Sequence, residues 1–217
     1  VGELMVKKKM LFIYNPHAGK AQIRSNLLDM IDIFTKAGYE VTAYPTQEKG
    51  DAIRAVTERN SDYELVCCSG GDGTLDEVVT GMMRCEERIP IGYVPAGTTN
   101  DFAHSIGIPA NMIKAAKMVV EGVPFPCDMG SFNDDTFVYI AAFGIFTDVS
   151  YATDQQMKNV LGQLAYILEG AKRITAIPSY ELTYEHDGIK KSGEYMFGMI
   201  TNSFSVGGFQ GITGNEV

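Results

Sequence analysis

The residues that most clearly indicate a chemical function are glycines grouped around one aspartate, at Gly70–Thr74 in the order Gly-Gly-Asp-Gly-Thr. An apolar run at Leu65–Cys68 precedes them and predicts a strand buried on both faces, and apolar residues at helical spacing follow from Leu75. The pattern therefore predicts a strand, a glycine turn and the start of a helix. Such a turn suits a phosphate, because backbone N–H groups are unpaired there, the helix dipole is positive and a missing Cβ allows close approach.

Asp72, in the middle of these glycines, indicates a metal ion as well as a phosphate. Two like charges at about 4 Å repel by roughly 1 kcal/mol in water and by about 4 kcal/mol at an effective dielectric near 20. A divalent cation between carboxylate and phosphate converts this repulsion into attraction. The residues alone favour binding of a Mg²⁺-nucleotide, with a tight βα turn in an ordinary α/β domain as the alternative.

Two further turns, Asn15–Lys20 and Pro95–Asp101, also follow apolar runs that predict strands. In an open parallel sheet the carboxyl ends of the strands lie at one edge, where ligands bind. We therefore expect all three turns to meet at one cleft. Lys20 would bring a cation to that cleft, Thr98 a hydroxyl and Asp101 a second carboxylate.

The first 125 residues alternate strand and helix patterns, which is typical of a parallel sheet with helices on both faces. Asp51 is interpreted as the N-cap of the second helix. The expected fold class is α/β, with residues 1–125 forming a doubly wound, mostly parallel, Rossmann-like nucleotide-binding domain. Predicted strands lie at residues 10–14, 39–44, 65–68 and 91–94, and predicted helices begin near residues 23, 51, 75, 101 and 113.

Residues 126–217 have a β-rich pattern and are predicted to form a second domain, a sandwich that binds the substrate. Glu185–Gly188 predicts a hairpin turn within it. Because no covering strand follows Gly214, we expect this domain to be incomplete, with an open sheet edge. Predicted strands lie at residues 125–129, 136–143, 180–184 and 195–200, and a predicted helix at residues 154–174 interrupts them.

Composition excludes several classes of function. The 217 residues carry a net charge of −9, so a general basic surface for nucleic acid is not expected. No apolar run approaches the length that spans a bilayer. The four cysteines form no C-x-x-C pair and only three histidines are present, which argues against a zinc site and for reduced thiols in a cytoplasmic protein.

Two common phosphate-binding motifs are absent. A G-x-G-x-x-G fingerprint counted from Gly71 would need glycine at position 76, which is Asp76. A Walker A loop ending at Lys20 would need glycine at Tyr14 and a hydroxyl residue at Ala21. A Rossmann dehydrogenase and a P-loop ATPase are therefore disfavoured.

The three turns together resemble the bacterial soluble diacylglycerol kinase and related lipid kinase family, within the NAD kinase-like superfamily. The matching motifs are Asn-Pro-x-x-Gly at Asn15–Gly19, Gly-Gly-Asp-Gly-Thr at Gly70–Thr74 and Pro-x-Gly-Thr-x-Asn-Asp-Phe-Ala at Pro95–Ala103. Asp128-x-Gly130 opens the second domain as in that family. Gly-Gly-Asp-Gly alone is shared with NAD kinases, whereas the three motifs in this order are specific.

The resemblance implies transfer of the γ-phosphoryl group of ATP to a lipid hydroxyl, with ATP and Mg²⁺ as cofactors. Diacylglycerol, giving phosphatidic acid, is the expected substrate. Two residues that the resemblance places at the site have an alternative interpretation: Thr46 as a hydroxyl that only stabilises a turn, and Lys158 as a solvent-exposed lysine of a helix. The implied ATP contacts are Asn15, Pro16, His17, Ala18, Gly19, Thr46, Gly70, Gly71, Asp72, Gly73, Thr74, Leu75, Asp76 and Thr98; the implied catalytic residues are Asp72, Asp101 and Lys158, and the implied metal ligands are Asp72, Asp101 and Asp128.

The resemblance leaves the general base open, because the family's proton-accepting carboxylate and second metal site fall beyond Val217. The alternatives to a lipid kinase are an NAD kinase and a nucleotide-binding regulator without turnover. Phosphatidylglycerol, a sphingoid base and an undecaprenol-like alcohol stay open beside diacylglycerol as acceptors.

A lipid substrate implies a cytoplasmic protein that docks transiently on the membrane surface, and a homodimer is compatible with the resemblance. Lys7–Lys9 and three apolar residues, Phe143, Ile145 and Phe146, are candidates for this docking. Core packing is the alternative role of the three apolar residues.

Overall fold

The computed structural model describes residues 8–19, 22–133, 135–144, 179–202, 205–206 and 209–210. They divide into two compact units, one built from residues up to Tyr139 and from Asn202 onward, and one from Ile140–Thr201. The domain boundary between residues 125 and 126 stays a prediction. The helices are α1 (Ile23–Lys36), α2 (Asp51–Arg59), α3 (Asp72–Met83), α4 (Asp101–Ser105) and α5 (Met112–Glu121), with a 3₁₀ turn at Asn60–Asp62. The strands are β1 (Lys8–Tyr14), β2 (Tyr39–Pro45), β3 (Leu65–Gly70), β4 (Ile91–Pro95), β5 (Gly130–Phe132), β6 (Asp135–Phe137), β7 (Ile140–Gly144), β8 (Tyr180–His186), β9 (Ile189–Tyr195), β10 (Phe197–Thr201), β11 (Ser205–Val206) and β12 (Phe209–Gln210).

The first unit is organised around a parallel sheet of four strands in the order β2-β1-β3-β4. Met10 of β1 lies opposite Leu65 of β3, and Val66 lies opposite Ile91 of β4. Every pairing in this sheet is parallel, as the alternation of strand and helix patterns predicts.

Helices cover both faces of this sheet, which confirms the α/β fold class. On one face Ile13 and Cys68 pack in a core with residues of α2 and α3. On the other face Phe12 and Cys67 pack in a core with residues of α1 and α5. Strands buried on both faces need apolar residues at every position, and for that reason β1 and β3 read as continuous apolar runs.

The strand order places a switch point between β1 and β3. The chain leaves β1 toward β2 on one side, and it leaves β3 toward β4 on the other side. Connections that diverge in this way leave a crevice at the carboxyl edge of the sheet, where ligands of open α/β sheets bind. The turns after β1 and β3 flank this crevice.

The later part of the chain forms two-stranded antiparallel sheets, β5 with β6, β7 with β10, β8 with β9 and β11 with β12. The predicted hairpin turn is present, with Asp187 and Gly188 both at positive φ as a type I′ turn requires. The sandwich stays a prediction, and the predicted helix at residues 154–174 lies outside the described residues.

Two predicted strands of this part are wrong. Residues 125–129 form no strand, since Pro126 has no N–H to give to a partner and Phe125 is exposed. The single strand expected at residues 136–143 is two strands, β6 and β7, which pair with different partners.

Candidate functional site

The glycine turn joins β3 to α3 and lies against the turn that follows β4. Gly71 has an extended conformation, with φ −85° and ψ −177°, that any residue can adopt. Its importance is proximity: a Cβ on Gly97 would lie 2.5 Å from the Gly71 Cα, and a Cβ on Gly71 would lie 3.3 Å from the Gly97 Cα. These glycines therefore let two backbones touch, and the backbone conformation of Gly71 does not itself require glycine.

The turn after β1 meets the same region. Gly19 has a φ of +53°, and a Cβ there would lie 2.5 Å from the carbonyl oxygen of Ala96. The Asn15 N–H donates to the Ser69 carbonyl at 2.9 Å, and the Ala96 N–H donates to the Gly70 carbonyl at 2.8 Å. The three turns thus lie against one another, as their positions after parallel strands lead one to expect.

Asn100 and Tyr93 fix the turn after β4. Asn100 has a left-handed backbone with φ 52°, and its amide accepts from the Gly97 N–H at 2.8 Å and donates to the Gly97 carbonyl at 2.9 Å. The buried Tyr93 hydroxyl donates to the Gly70 carbonyl at 3.2 Å. Neither residue was among the predicted site residues; Asn100 lies inside a quoted motif, whereas Tyr93 reads as an ordinary buried strand residue.

Asp72 holds the glycine turn to helix α4. Its carboxylate accepts the Asp101 N–H at 3.0 Å and the Phe102 N–H at 3.2 Å. Because Asn100, the residue before α4, turns its side chain to Gly97 and makes no cap, Asp72 supplies the helix cap from another segment. This structural role is additional to the metal role predicted from the sequence.

The environment of Asp72 disfavours its negative charge. Burial raises the pKa of the Asp72 carboxyl, the two backbone hydrogen bonds oppose this effect, and the charge of Asp101 adds to it. Both carboxylates are buried, and no Lys, Arg or His among the described residues forms an ion pair with Asp72. A bound cation would offset the charge.

Asp128, the third predicted metal ligand, is exposed on the connection before β5. The Asn202 amide donates to its backbone carbonyl at 2.5 Å. Across the described parts of the chain, no three His, Cys, Asp or Glu side chains gather in a group that could hold a metal ion. The structure therefore does not bring Asp72, Asp101 and Asp128 together as a preformed metal cage.

Asp76 and Tyr139 are partly buried residues beside Asp72 and Asp101. The Asp76 carboxylate accepts the Val138 N–H at 3.2 Å. Burial raises the pKa of Asp76 to about 6, against the effect of this hydrogen bond and with the help of neighbouring carboxylates. Burial also raises the pKa of Tyr139, and the charges of Asp72, Asp101 and Asp76 contribute. Tyr139 is therefore near these carboxylates, although it was not among the predicted site residues and no motif around it signals this position.

The remaining predicted ATP contacts differ in their position and in how exposed they are. Thr46 follows β2, and its N–H donates to the Tyr14 carbonyl at 2.9 Å, next to the first turn. Leu75 is buried in the core, so only its backbone can face a ligand. Lys20 and Lys158 lie outside the described residues. The exposed residues among the predicted contacts are His17, Gly19, Gly73 and Thr98. Those that are wholly or partly buried are Asn15, Pro16, Gly70, Gly71 and Thr74. Ala18 packs in the core beside α1.

Comparison with known proteins identifies the family. Residues 9–132 match the family described as the diacylglycerol kinase catalytic domain. The chain belongs to this family. It is 38% identical over 205 residues to the diacylglycerol kinase of Bacillus subtilis (strain 168), covering 94% of this chain and 68% of that protein. It is 35% identical over 206 residues to the diacylglycerol kinase of Staphylococcus carnosus (strain TM300), covering 94% of this chain and 67% of that protein.

A solved structure agrees with this diacylglycerol kinase family assignment. The crystal structure of a diacylglycerol kinase from Bacillus anthracis str. Sterne is similar with a TM-score of 0.73 and 27% identity, covering 95% of this chain and 68% of that one. The prediction of an enzyme of the lipid kinase class is thereby confirmed, and the NAD kinase alternative is disfavoured. The roles of individual residues stay predictions.

Proposed function

We propose that the protein transfers the γ-phosphoryl group of ATP to the free hydroxyl of diacylglycerol, forming phosphatidic acid. The observation that carries this proposal is the contact between three glycine-containing turns at the carboxyl edge of the parallel sheet, with buried carboxylates behind them. The names of the two relatives described above support the choice of acceptor. Phosphoryl transfer depends mainly on positioning and on charge stabilisation, which such an edge can supply.

Backbone groups are the proposed phosphate ligands. Helix α3 begins at Asp72, and the first N–H groups of a helix have no partner within the helix. The Thr74 and Leu75 N–H groups already donate to the Gly71 carbonyl, at 3.0 and 3.1 Å. The N–H groups of Asp72 and of the exposed Gly73 are therefore the proposed phosphate donors, and the positive end of the helix dipole also favours an anion there. The turn at Asn15–Gly19 would contact the same nucleotide, because Gly19 touches the Ala96 carbonyl.

Mg²⁺ fits this group of residues as an ion shared with the nucleotide. It is usually bound by one or two protein carboxylates together with substrate phosphates and water, so a complete protein cage is not required. Asp72 and Asp101 are the proposed carboxylates, with Asp128 as a third candidate, and the ion would neutralise charge that develops on the phosphates. Asp72 at the same time keeps α4 against the glycine turn through the Asp101 and Phe102 N–H groups. Lys158 stays a predicted cleft cation.

The proposed acceptor lies at a membrane surface, so we propose a cytoplasmic protein that associates with the membrane peripherally. All four cysteines are unpaired, which is typical of a reducing compartment. In the part of the chain that the structure describes, no helix has the length and apolar character to cross a bilayer. Of the docking candidates, Phe143 packs edge-on against Tyr180 with ring centroids 5.8 Å apart, which supports a packing role.

A label-transfer assay tests the proposed function. The protein is incubated with Mg²⁺ and ATP labelled in the γ-phosphoryl group, together with diacylglycerol in mixed micelles, and lipids are separated by chromatography. We expect label in phosphatidic acid. Parallel reactions with a total bacterial lipid extract and with NAD test the other acceptors. Label in NAD, or in a lipid other than phosphatidic acid when diacylglycerol is present, would overturn the proposal.

A further inference from the structure

Helix α3 carries three carboxylates, and each accepts backbone N–H groups from a different segment of the first unit. Asp72 accepts from the start of α4, and Asp76 accepts from Val138 between β6 and β7. Glu77 accepts from the start of α2, with the Gly50 N–H at 2.9 Å and the Ala52 N–H at 3.3 Å. The helix that begins at the glycine turn is therefore tied to three other parts of the fold.

Glu77 provides a cap that α2 does not make for itself. Gly50, which precedes the helix, is in the left-handed region with φ 86° and has no side chain. Asp51, predicted as the N-cap, is instead the first helical residue, and its carboxylate points back to the Gln47 N–H at 2.7 Å. The Asp51 N–H donates to the Glu48 carbonyl at 3.3 Å, and Glu77 on the neighbouring helix accepts the N–H groups of Gly50 and Ala52 on either side of it.

Close packing of the two helices allows this reach. One turn beyond Glu77, a Cβ on Gly81 would lie 2.9 Å from the Ile53 carbonyl oxygen and 2.9 Å from the Val56 Cβ. The backbones of α2 and α3 are therefore near each other along their length, and the Glu77 carboxylate lies at the start of α2. Its two bonds are charge-assisted, which makes them stronger than neutral hydrogen bonds.

The segment that Glu77 fixes leads directly from the nucleotide edge of the sheet. It begins at Thr46, whose N–H donates to the Tyr14 carbonyl beside the turn at Asn15–Gly19. In the strand order, β2 is two places from β3, so this segment lies roughly 10 Å from the glycine turn across the sheet. A nucleotide with its phosphates at the glycine turn has the length to reach it.

We propose that Glu77 is a positioning residue that sets the connection between β2 and α2 relative to the glycine turn, so that both ends of one ATP molecule are held. This inference rests on the proposed function. It predicts that loss of Glu77 weakens recognition of ATP and leaves recognition of diacylglycerol unchanged. The reason is that the hydrogen bonds of the Glu77 carboxylate described above go to the segment after β2.

The test compares Glu77→Gln and Glu77→Ala with wild type, and Thr80→Val is the matched control. Thr80 is on the same helix and is buried, but its hydroxyl bonds Thr136 at 2.9 Å and not the segment after β2. In Glu77→Ala we expect the KM for ATP to rise by at least about tenfold, the scale of losing a hydrogen bond to a charged group. Glu77→Gln keeps one acceptor and should show a smaller rise. In both variants kcat and the KM for diacylglycerol should stay close to wild type.

Hydrogen exchange gives a readout that does not depend on turnover. Amides of residues 46–52 should exchange faster in both Glu77 variants, and MgATP should protect them less than in wild type. Thr80→Val should change neither this exchange nor the KM for ATP. An unchanged KM for ATP in Glu77→Ala, or equal rises in the KM for both substrates, would overturn the inference. A wild-type protein without diacylglycerol kinase activity would instead overturn the proposed function, and the exchange of residues 46–52 without ATP would still report on the Glu77 contacts.

Discussion

Substitution of Gly73 by alanine separates the stability of the glycine turn from its affinity for ATP. Gly73 is the second residue of α3 and is exposed, and a Cβ there would meet no protein atom within 4 Å. Its φ is outside the left-handed region, so alanine adopts this backbone without strain. We therefore expect Gly73→Ala to raise the free energy of unfolding by about 0.4–1 kcal/mol, because alanine has less freedom to lose on folding.

Binding should change in the opposite direction. If a phosphate rests against the start of α3, the added methyl group occupies part of its place, and crowding of this kind costs about 1–3 kcal/mol. That cost corresponds to a loss of about 5- to 150-fold in ATP affinity. Calorimetric titration with MgATP, beside a thermal melt, measures both quantities on the same sample.

Gly97→Ala is the matched comparison, because its methyl group meets protein atoms. Its Cβ would lie 2.5 Å from the Gly71 Cα and 2.8 Å from the Asn100 Oδ1, so the two turns must move apart. This variant should lose stability, by about 1–3 kcal/mol, as well as ATP affinity. Wild-type ATP affinity in a stabilised Gly73→Ala protein would refute the placement of phosphate at this turn.

Two further predictions concern the carboxylates of α3. Asp72→Asn should lower the free energy of unfolding by about 1–3 kcal/mol in a thermal melt, because the asparagine amide cannot accept both the Asp101 and Phe102 N–H groups. Most kinase activity should be lost as well. Unchanged stability would contradict the capping role of Asp72. The folded pKa of Asp76 is about 6, above the ordinary 3.8, so its contribution to stability is fully present below about pH 4 and declines as pH rises through 6. Asp76→Asn keeps an acceptor for the Val138 N–H and removes the partly buried charge, so its melting temperature should exceed that of wild type near pH 8 and match it near pH 4. The same difference in melting temperature at both pH values would contradict this role of Asp76.

The parallel sheet and the meeting of the three turns could be predicted, because they depend on local signals. Phe12 and Cys67 lie in apolar runs, and glycines follow β3 directly. Parallel strands then bring their carboxyl ends to one edge whatever the details of packing. The expected roles of individual residues came from the family motifs, because apolar runs predict only the strands.

Contacts between a side chain and a distant backbone could not be predicted. Asp72 meets the Asp101 N–H across 29 positions and Glu77 meets the Gly50 N–H across 27, and no periodic pattern marks such pairs. The same limit on prediction applies to Gly71. A side chain is disfavoured there because Gly97, distant in sequence, lies close to it, and not because of the φ of Gly71. The strand predicted at residues 125–129 failed because extended backbone becomes a strand only when a partner lies beside it.

The measurement that tests the central claim most directly is a titration of the isotopically labelled protein with MgATP, followed through its backbone amide resonances. If the three turns form the nucleotide site, the amides of Gly19, Gly73 and Thr98 should shift together and saturate at one ATP concentration, while those of the hairpin β8–β9 should stay in place. Shifts confined to other segments, or separate saturation of the three turns, would contradict a single ATP site at this edge of the sheet.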